Sequence, residues 1–321
     1  MYKLVAIDLD GTLLNSYGEV SNENKQAIKN AINKGVEVVL SSGRIGDSVE
    51  SIAHDLSANN YYISGNGSML YNMQEDKIEY ENFIEKEKML KLIKICEENS
   101  IYYSIYTENM VITKSLKYNV AFYNYENSKK AFDKRTNINI VQNIYEYVKN
   151  LKNNKFLKIT ICDDSEIIFS RIIDKFKKIN NIDVLDVAHM SRKIIKEGTE
   201  EVPVEYYYTE ITNKNVDKWT AIEILIKKLN IKREEVIAIG DNMNDKLMIK
   251  NAGIGVAMGQ ANPKIKEIAD VVTQDNNNNG VANILNKLIK KINSWILQKY
   301  YKNIKCILHF RNFIVLSRQL L

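Results

Sequence analysis

The sequence predicts a doubly wound α/β core built on a parallel sheet and interrupted by an inserted α+β domain. Three observations predict it. Continuous apolar runs alternate with amphipathic helical patterns near both ends of the chain. Those runs stop in polar, acid-rich turns. The middle, 83–208, is of a different texture, rich in Tyr and in charged helical stretches.

The elements follow in order. Residues 3–7, KLVAI, read as a buried strand. Ser21 caps a helix whose Ala27, Ile28, Ala31 and Ile32 form one apolar stripe, and Gly35 closes it. Residues 36–40, VEVVL, are the next buried strand. In the middle, YYSIYT at 102–107, FLKITIC at 156–162 and VEYYYTEI at 204–211 alternate as half-exposed antiparallel strands would. Their tyrosines are expected to be packing surface rather than a stacking platform. Late in the chain, Ile222, Leu225, Ile226 and Leu229 mark a helix, and VIAIGD at 236–241 is a strand ending in an acid. A helix from about Asn244, a strand GIGVAM, a helix from Pro263 and DVVT complete the pattern, and NNNN at 276–279 reads as a solvated turn. The domains are expected to be 1–82 with 209–290, then 83–208, then a basic extension over 291–321.

Composition bounds the function. With 321 residues, 45% hydrophobic and 26% charged, there is ample apolar material for a core. The net charge of +5 hides an asymmetry. No acid follows Asp275, where eight Lys and Arg residues lie, so residues 1–275 carry −3. A slightly acidic body argues against a nucleic-acid partner. Cys96, Cys162 and Cys306 form no CxxC pair, which points to reduced thiols and a cytoplasmic location. The chain enters a strand at once, so no signal peptide is expected, and no transmembrane segment is legible. GxGxxG after a strand and GxxxxGK[ST] are both missing, which removes the main support for dinucleotide and P-loop readings.

The strand ends carry the chemistry. Open α/β sheets bind ligands beyond the carboxyl ends of their strands. Here those ends hold Asp8 and Asp10, then Ser41, Ser42, Gly43 and Arg44, then Asp241, Asn242, Asn244 and Asp245. Converging carboxylates need a cation, and an all-oxygen set suits Mg²⁺. Lys218, at the start of a helix, makes sense beside an anion such as phosphate. Taken alone, a DxD pair fits a turn or a simple metal site equally well. Asp241 with Asp245 fits a loop and a cap, Ser42 a turn hydroxyl, and Lys218 a surface lysine. Their fixed order favours one site. His54 and His189 lack ligand-spaced partners and are expected to be non-catalytic.

This set resembles the haloacid dehalogenase (HAD) superfamily of phosphatases, and within it the Cof-type subfamily IIB. DxDGT stands at 8–12, Ser42 follows the second strand, Lys218 opens a later helix, and GDxxND stands at 240–245. ISGNGSMLY at 63–71, EITNKNVDKWTAI at 210–222 and AGIGVAMGQANPKIKEIADVVT at 252–273 also look like that group. Trp219 and Gln260 depart from its usual Gly and Asn and bear on pocket shape. The resemblance implies a Rossmann-like core with a C2B-type cap. It implies a Mg-dependent phosphatase acting on small phosphorylated metabolites through an aspartyl-phosphate.

It further implies roles. Asp8 is the nucleophile and Asp10 the general acid and base. Mg²⁺ is held by Asp8, the Asp10 carbonyl and Asp241, with Asp245 in support. Ser42, Lys218, Asn244 and the N–H groups of Leu9 and Gly43 hold phosphate. Arg44 and Asn66 are candidates beside the substrate or for loop support. A phosphomutase-like phosphotransferase remains an alternative, as does a non-catalytic phosphometabolite-binding protein. The intact Asp8, Asp10, Lys218 and Asp241 count against the last.

Overall fold

The computed structural model describes residues 2–152, 155–185 and 188–288. The expectations for the extension over 291–321 and for Cys306 lie outside these residues, as does the side chain of His189.

The first part of the chain gives β1 (Leu4–Ile7), α1 (Asn22–Ile32), β2 (Glu37–Ser41), α2 (Gly46–Asp55), β3 (Tyr61–Ser64), β4 (Met69–Asn72) and β5 (Lys77–Glu81). The middle gives α3 (Lys86–Glu98), β6 (Tyr102–Thr107), β7 (Val111–Thr113), α4 (Tyr118–Ser128), β8 (Ile138–Ile140), α5 (Ile144–Asn150), β9 (Phe156–Asp163), α6 (Glu166–Phe176), β10 (Ile182–Val184), β11 (Ala188–Glu197) and β12 (Glu200–Asn213). The late part gives α7 (Lys218–Lys228), β13 (Val236–Gly240), α8 (Lys246–Asn251), β14 (Ile254–Ala257), α9 (Pro263–Ile268) and β15 (Val271–Val272), then a helix over 280–288.

The first sheet has the order β15-β14-β13-β1-β2-β3-β4-β5. It is parallel from β15 to β3, with an antiparallel margin where β4 and β5 fold back. Every side chain of β1 is buried, as a strand covered on both faces requires. Burying each of its Leu, Val and Ile side chains stabilises the fold by about 1.5–3 kcal/mol. Chain direction across the sheet reverses between β1 and β13, which pair in register from Leu4↔Val236 to Ile7↔Ile239. The residues after β1 and after β13 therefore emerge side by side at the switch point.

The second sheet, ordered β10-β12-β9-β6-β7-β8 with β11 on β12, is antiparallel except for the parallel pair β7–β8. Its strands alternate as the sequence predicts, but β6 and β9 are almost wholly buried rather than half-exposed. The reason is that both faces are covered. Tyr103, Ile105, Ile159 and Ile161 join Leu92, Ile93, Ile144 and Val148 of α3 and α5 in one apolar cluster. The opposite face carries Ser104, Tyr106, Lys158 and Thr160, which are also buried. β12 runs to Asn213, so the boundary expected at 208/209 falls inside a strand of this sheet.

Two local expectations are corrected. The helix expected from about Asn244 begins at Lys246, because residues Met243–Asp245 form a tight 3₁₀ turn. Asp245 holds that turn by accepting from the N–H groups of Asp241 and Asn242 at 2.9 and 3.0 Å. The NNNN run is no mere solvated turn. Asn276 is buried and donates to the Leu14 carbonyl at 2.9 Å, and Asn277 accepts from Ser16 N–H at 3.0 Å, so the run fastens the loop after β1.

Candidate active site

The loops after β1 and β13 converge as expected. Asp8, Asp241 and Asp245 offer carboxylate oxygens that all lie within 4.8 Å of one another, and all three residues are buried. Asp8 sits at the end of β1. Two residues on, Asp10 begins a sharp reversal that Gly11 permits with φ +83°. Thr12 supports the far side, donating to Asp241 Oδ1 at 3.3 Å.

Lys218 enters from the first turn of α7, which Asp217 caps by accepting from Thr220 N–H at 2.9 Å. Its ammonium is wholly buried and donates to Asp8 Oδ1 at 2.5 Å and Asp245 Oδ1 at 2.6 Å. Burial pulls the lysine pKa down, but Asp245 and Asp8 outweigh it and raise it. Burial, reinforced by Asp245, pushes the Asp8 carboxyl up to about 7, against the opposing pull of Lys218. One ammonium among three buried carboxylates leaves an excess of negative charge. Like charges about 4 Å apart repel by about 4 kcal/mol at an effective dielectric near 20. The buried all-oxygen donor set fits a hard divalent cation such as Mg²⁺.

Asp10, expected at the metal through its backbone carbonyl, turns its carboxylate toward Arg44 and Lys193. It accepts from Arg44 Nε and Nη2 at 2.9 Å each and pairs with Lys193 at 3.1 Å. Burial opposes its ionisation, but these two cations outweigh that and hold its carboxyl well below the usual range.

Of the expected phosphate-binding residues, Gly43 and Asn244 line the cleft with Asp8 and Asp10. Ser42 is buried next to Gly43, and its Oγ accepts from Arg44 N–H at 3.2 Å. The Leu9 side chain packs in the core, and its carbonyl accepts from Thr12 and Leu14. Asn66 takes a left-handed φ of +61° and accepts from Asn244 Nδ2 at 3.1 Å while donating to Glu210. Arg44 does not reach the cleft; its guanidinium is taken up by Asp10, Glu126 and Ser48. Trp219 is buried under Arg233, and Gln260 donates to the Gly11 carbonyl; neither lines the cleft. His54 is exposed beside Glu50.

The second sheet supplies groups that sequence reasoning missed. Lys158, Thr160, Lys193, Tyr206, Tyr208 and Glu210 line the cleft opposite Asp8, with Tyr123 and Asn119 from α4. Lys158 pairs with Glu210 and lies 4.7 Å from the Tyr106 ring centroid. The polar face of FLKITIC was the available signal, since a lysine and a threonine two apart on a buried strand need a polar neighbour. The tyrosines do pack on one another, Tyr206 and Tyr208 at 5.8 Å between centroids, while also walling the cleft.

Residues 5–285 match the family model of the haloacid dehalogenase-like hydrolases. The chain belongs to that family. It is 30% identical over 295 residues to phosphatase YwpJ of Bacillus subtilis, covering 89% of this chain and all of that protein. It is 29% identical to the 5-amino-6-(5-phospho-D-ribitylamino)uracil phosphatase YcsE of the same organism, covering 92% and 96% of the two chains. A solved haloacid dehalogenase-like hydrolase from B. subtilis superimposes with a TM-score of 0.73 at 28% identity, over 88% of this chain and 99% of that one. This HAD-family chain is accordingly a phosphoric monoester hydrolase, and its parallel core with a second α+β sheet is the architecture of the family. Among the described residues, no helix of this HAD hydrolase is long and apolar enough to cross a membrane.

Proposed function

We propose that the protein hydrolyses phosphate monoesters of small metabolites in two steps through an aspartyl-phosphate. The observation that carries this reading is the buried Lys218 ammonium clamped between Asp8 and Asp245, beside Asp241 at the switch point of the sheet. A lysine that fixes one oxygen of Asp8 leaves the carboxylate aimed as a nucleophile rather than spent in a surface pair.

In the first step an Asp8 oxygen bonds to phosphorus, the ester P–O bond breaks, and Asp10 gives its proton to the departing oxygen. In the second step water attacks the same phosphorus, Asp10 takes its proton, and phosphate leaves Asp8. Asp8, Asp241 and the Asp10 carbonyl, with Asp245 in support, would hold Mg²⁺, which would supply charge neutralisation between the carboxylate and the phosphate. Lys218, Ser42, Asn244 and the N–H groups of Leu9 and Gly43 hold the phosphoryl oxygens. An arriving phosphate dianion competes for Lys193 and repels the Asp10 carboxylate, which favours its protonated form.

The cleft is lined by charged, hydroxyl and aromatic side chains from both sheets, which suits a small polar molecule. Lys158, Thr160, Asn119 and the tyrosines offer hydrogen-bonding groups and apolar faces for its leaving group. The substrate named for YcsE, a phosphorylated polyol on a heteroaromatic ring, has both features. A cytoplasmic location agrees with the buried, unpaired thiols of Cys96 and Cys162.

The test is Asp8→Asn. It should abolish turnover of an aryl phosphate while the circular dichroism spectrum stays that of the parent. Retained turnover would remove Asp8 as nucleophile. A screen of phosphorylated sugars, polyols and nucleotides then identifies the substrate.

A further inference from the structure

Arg44 is a fork occupied on both sides. Toward the first sheet, Nε and Nη2 donate to the two Asp10 oxygens at 2.9 Å each. Toward the second, Nη1 and Nη2 donate to the two Glu126 oxygens at 2.8 and 2.9 Å, and Nη1 also reaches Ser48 Oγ at 3.4 Å. Arg44 is 1% exposed and Glu126 3%. Glu126 belongs to α4, which packs on β11 and β12. A carboxylate–guanidinium–carboxylate stack therefore straddles the seam between the two sheets. The loop after β1 is shaped around it. Gly18 has φ +79°, and a Cβ there would lie 2.4 Å from Glu126 Oε1. The Tyr123 ring closes the stack, its centroid 5.2 Å from the guanidinium carbon.

A buried guanidinium is planar, and its orientation is fixed only when its donors are met on both edges. Without Glu126, two Arg44 donors lose their acceptors inside the protein, and the fork can turn away from Asp10 to find others. We propose that Glu126 is a positioning residue: it locks Arg44 in the orientation that holds both Asp10 oxygens, so Asp10 is aligned for proton transfer only while the second sheet is docked on the first. This rests on the reading of Asp10 as acid and base.

The experiment measures kcat/KM over a series of phosphate monoesters, from nitrophenyl phosphate to simple alkyl phosphates. In a two-step mechanism kcat/KM reports events up to departure of the leaving group, so slow release of phosphate does not mask it. Good leaving groups need little protonation and poor ones need it fully. Glu126→Gln should lose roughly tenfold to hundredfold with alkyl phosphates and less than about threefold with nitrophenyl phosphate, the selective part of a general-acid contribution. Gly18→Ala, whose Cβ would press on the Glu126 carboxylate while its φ of +79° strains the loop, should tilt the series the same way. It keeps the proposal testable if Glu126→Gln does not fold, as read by circular dichroism. A loss uniform across the series in Glu126→Gln, or in Gly18→Ala should Glu126→Gln not fold, overturns the proposal, as does no loss at all. Asp10→Asn, run in parallel, separates the two failures. A flat series for Asp10→Asn sinks the acid–base reading itself. A steep series for Asp10→Asn with flat series for the other two sinks only the role of Glu126.

Discussion

Lys218 is a fully buried ammonium between two buried carboxylates, and its removal tests the electrostatics of the site. Lys218→Met should cost about 3–5 kcal/mol in a urea titration without metal, because it strands carboxylates that its charge now balances. Added Mg²⁺ should restore part of that. A change under about 1 kcal/mol would show that the cluster does not depend on the lysine. At this scale the sequence was legible where partners are local or follow a fixed motif order. Asp8, Lys218, Asp241 and Asp245 could be grouped because each ends a strand or opens a helix. Glu126, Lys158, Lys193 and Glu210 could not. Glu126 and Lys193 find their partners across the seam between sheets, and Lys158 and Glu210 meet on neighbouring strands far apart in sequence, so the flanking residues do not say which groups pair.

Helix starts show how an element positions chemistry. α1 and α7 are both capped by a short polar side chain, Ser21 accepting from Asn24 N–H at 3.2 Å and Asp217 from Thr220 N–H at 2.9 Å. Ser21→Ala and Asp217→Ala should each cost about 1 kcal/mol by denaturant titration. Only the second should also lower kcat/KM, by about tenfold or more, since it loosens the turn that carries Lys218. Equal activity in the two variants would separate the cap from the site. The Ser21 cap and the strands β1, β2, β6 and β13 were legible from periodicity within a residue or so. The burial of β6 and β9 was not, because alternation reports which face is polar and says nothing of what covers that face. Likewise the Asn276 and Asn277 contacts to the β1 loop join residues far apart in sequence, which a run of asparagines does not announce.

At the scale of the whole molecule, the acidic cluster and the second sheet close on one cleft. Metal binding should therefore appear in global stability as well as in rate. EDTA-treated protein should be inactive, and Mg²⁺ at a hundred times its Kd should both restore turnover and raise unfolding free energy by about 2.7 kcal/mol. Full activity of a metal-free preparation would contradict the assignment. The two-sheet architecture was legible as a change of texture along the chain, whereas the length of β12, which keeps its strand pattern to Asn213, was not.

The stack at Arg44 has a consequence for how such enzymes change their substrates. The segment between β5 and α7 carries Lys158, Tyr206, Tyr208 and Glu210, so grafting it from a relative would seem enough to exchange specificity. It also carries Lys193, which pairs with Asp10 on the recipient's side, and Glu126, which holds the Arg44 that grips Asp10. A chimera that imports new walls without those two anchors would recognise its guest and then fail to release it as product.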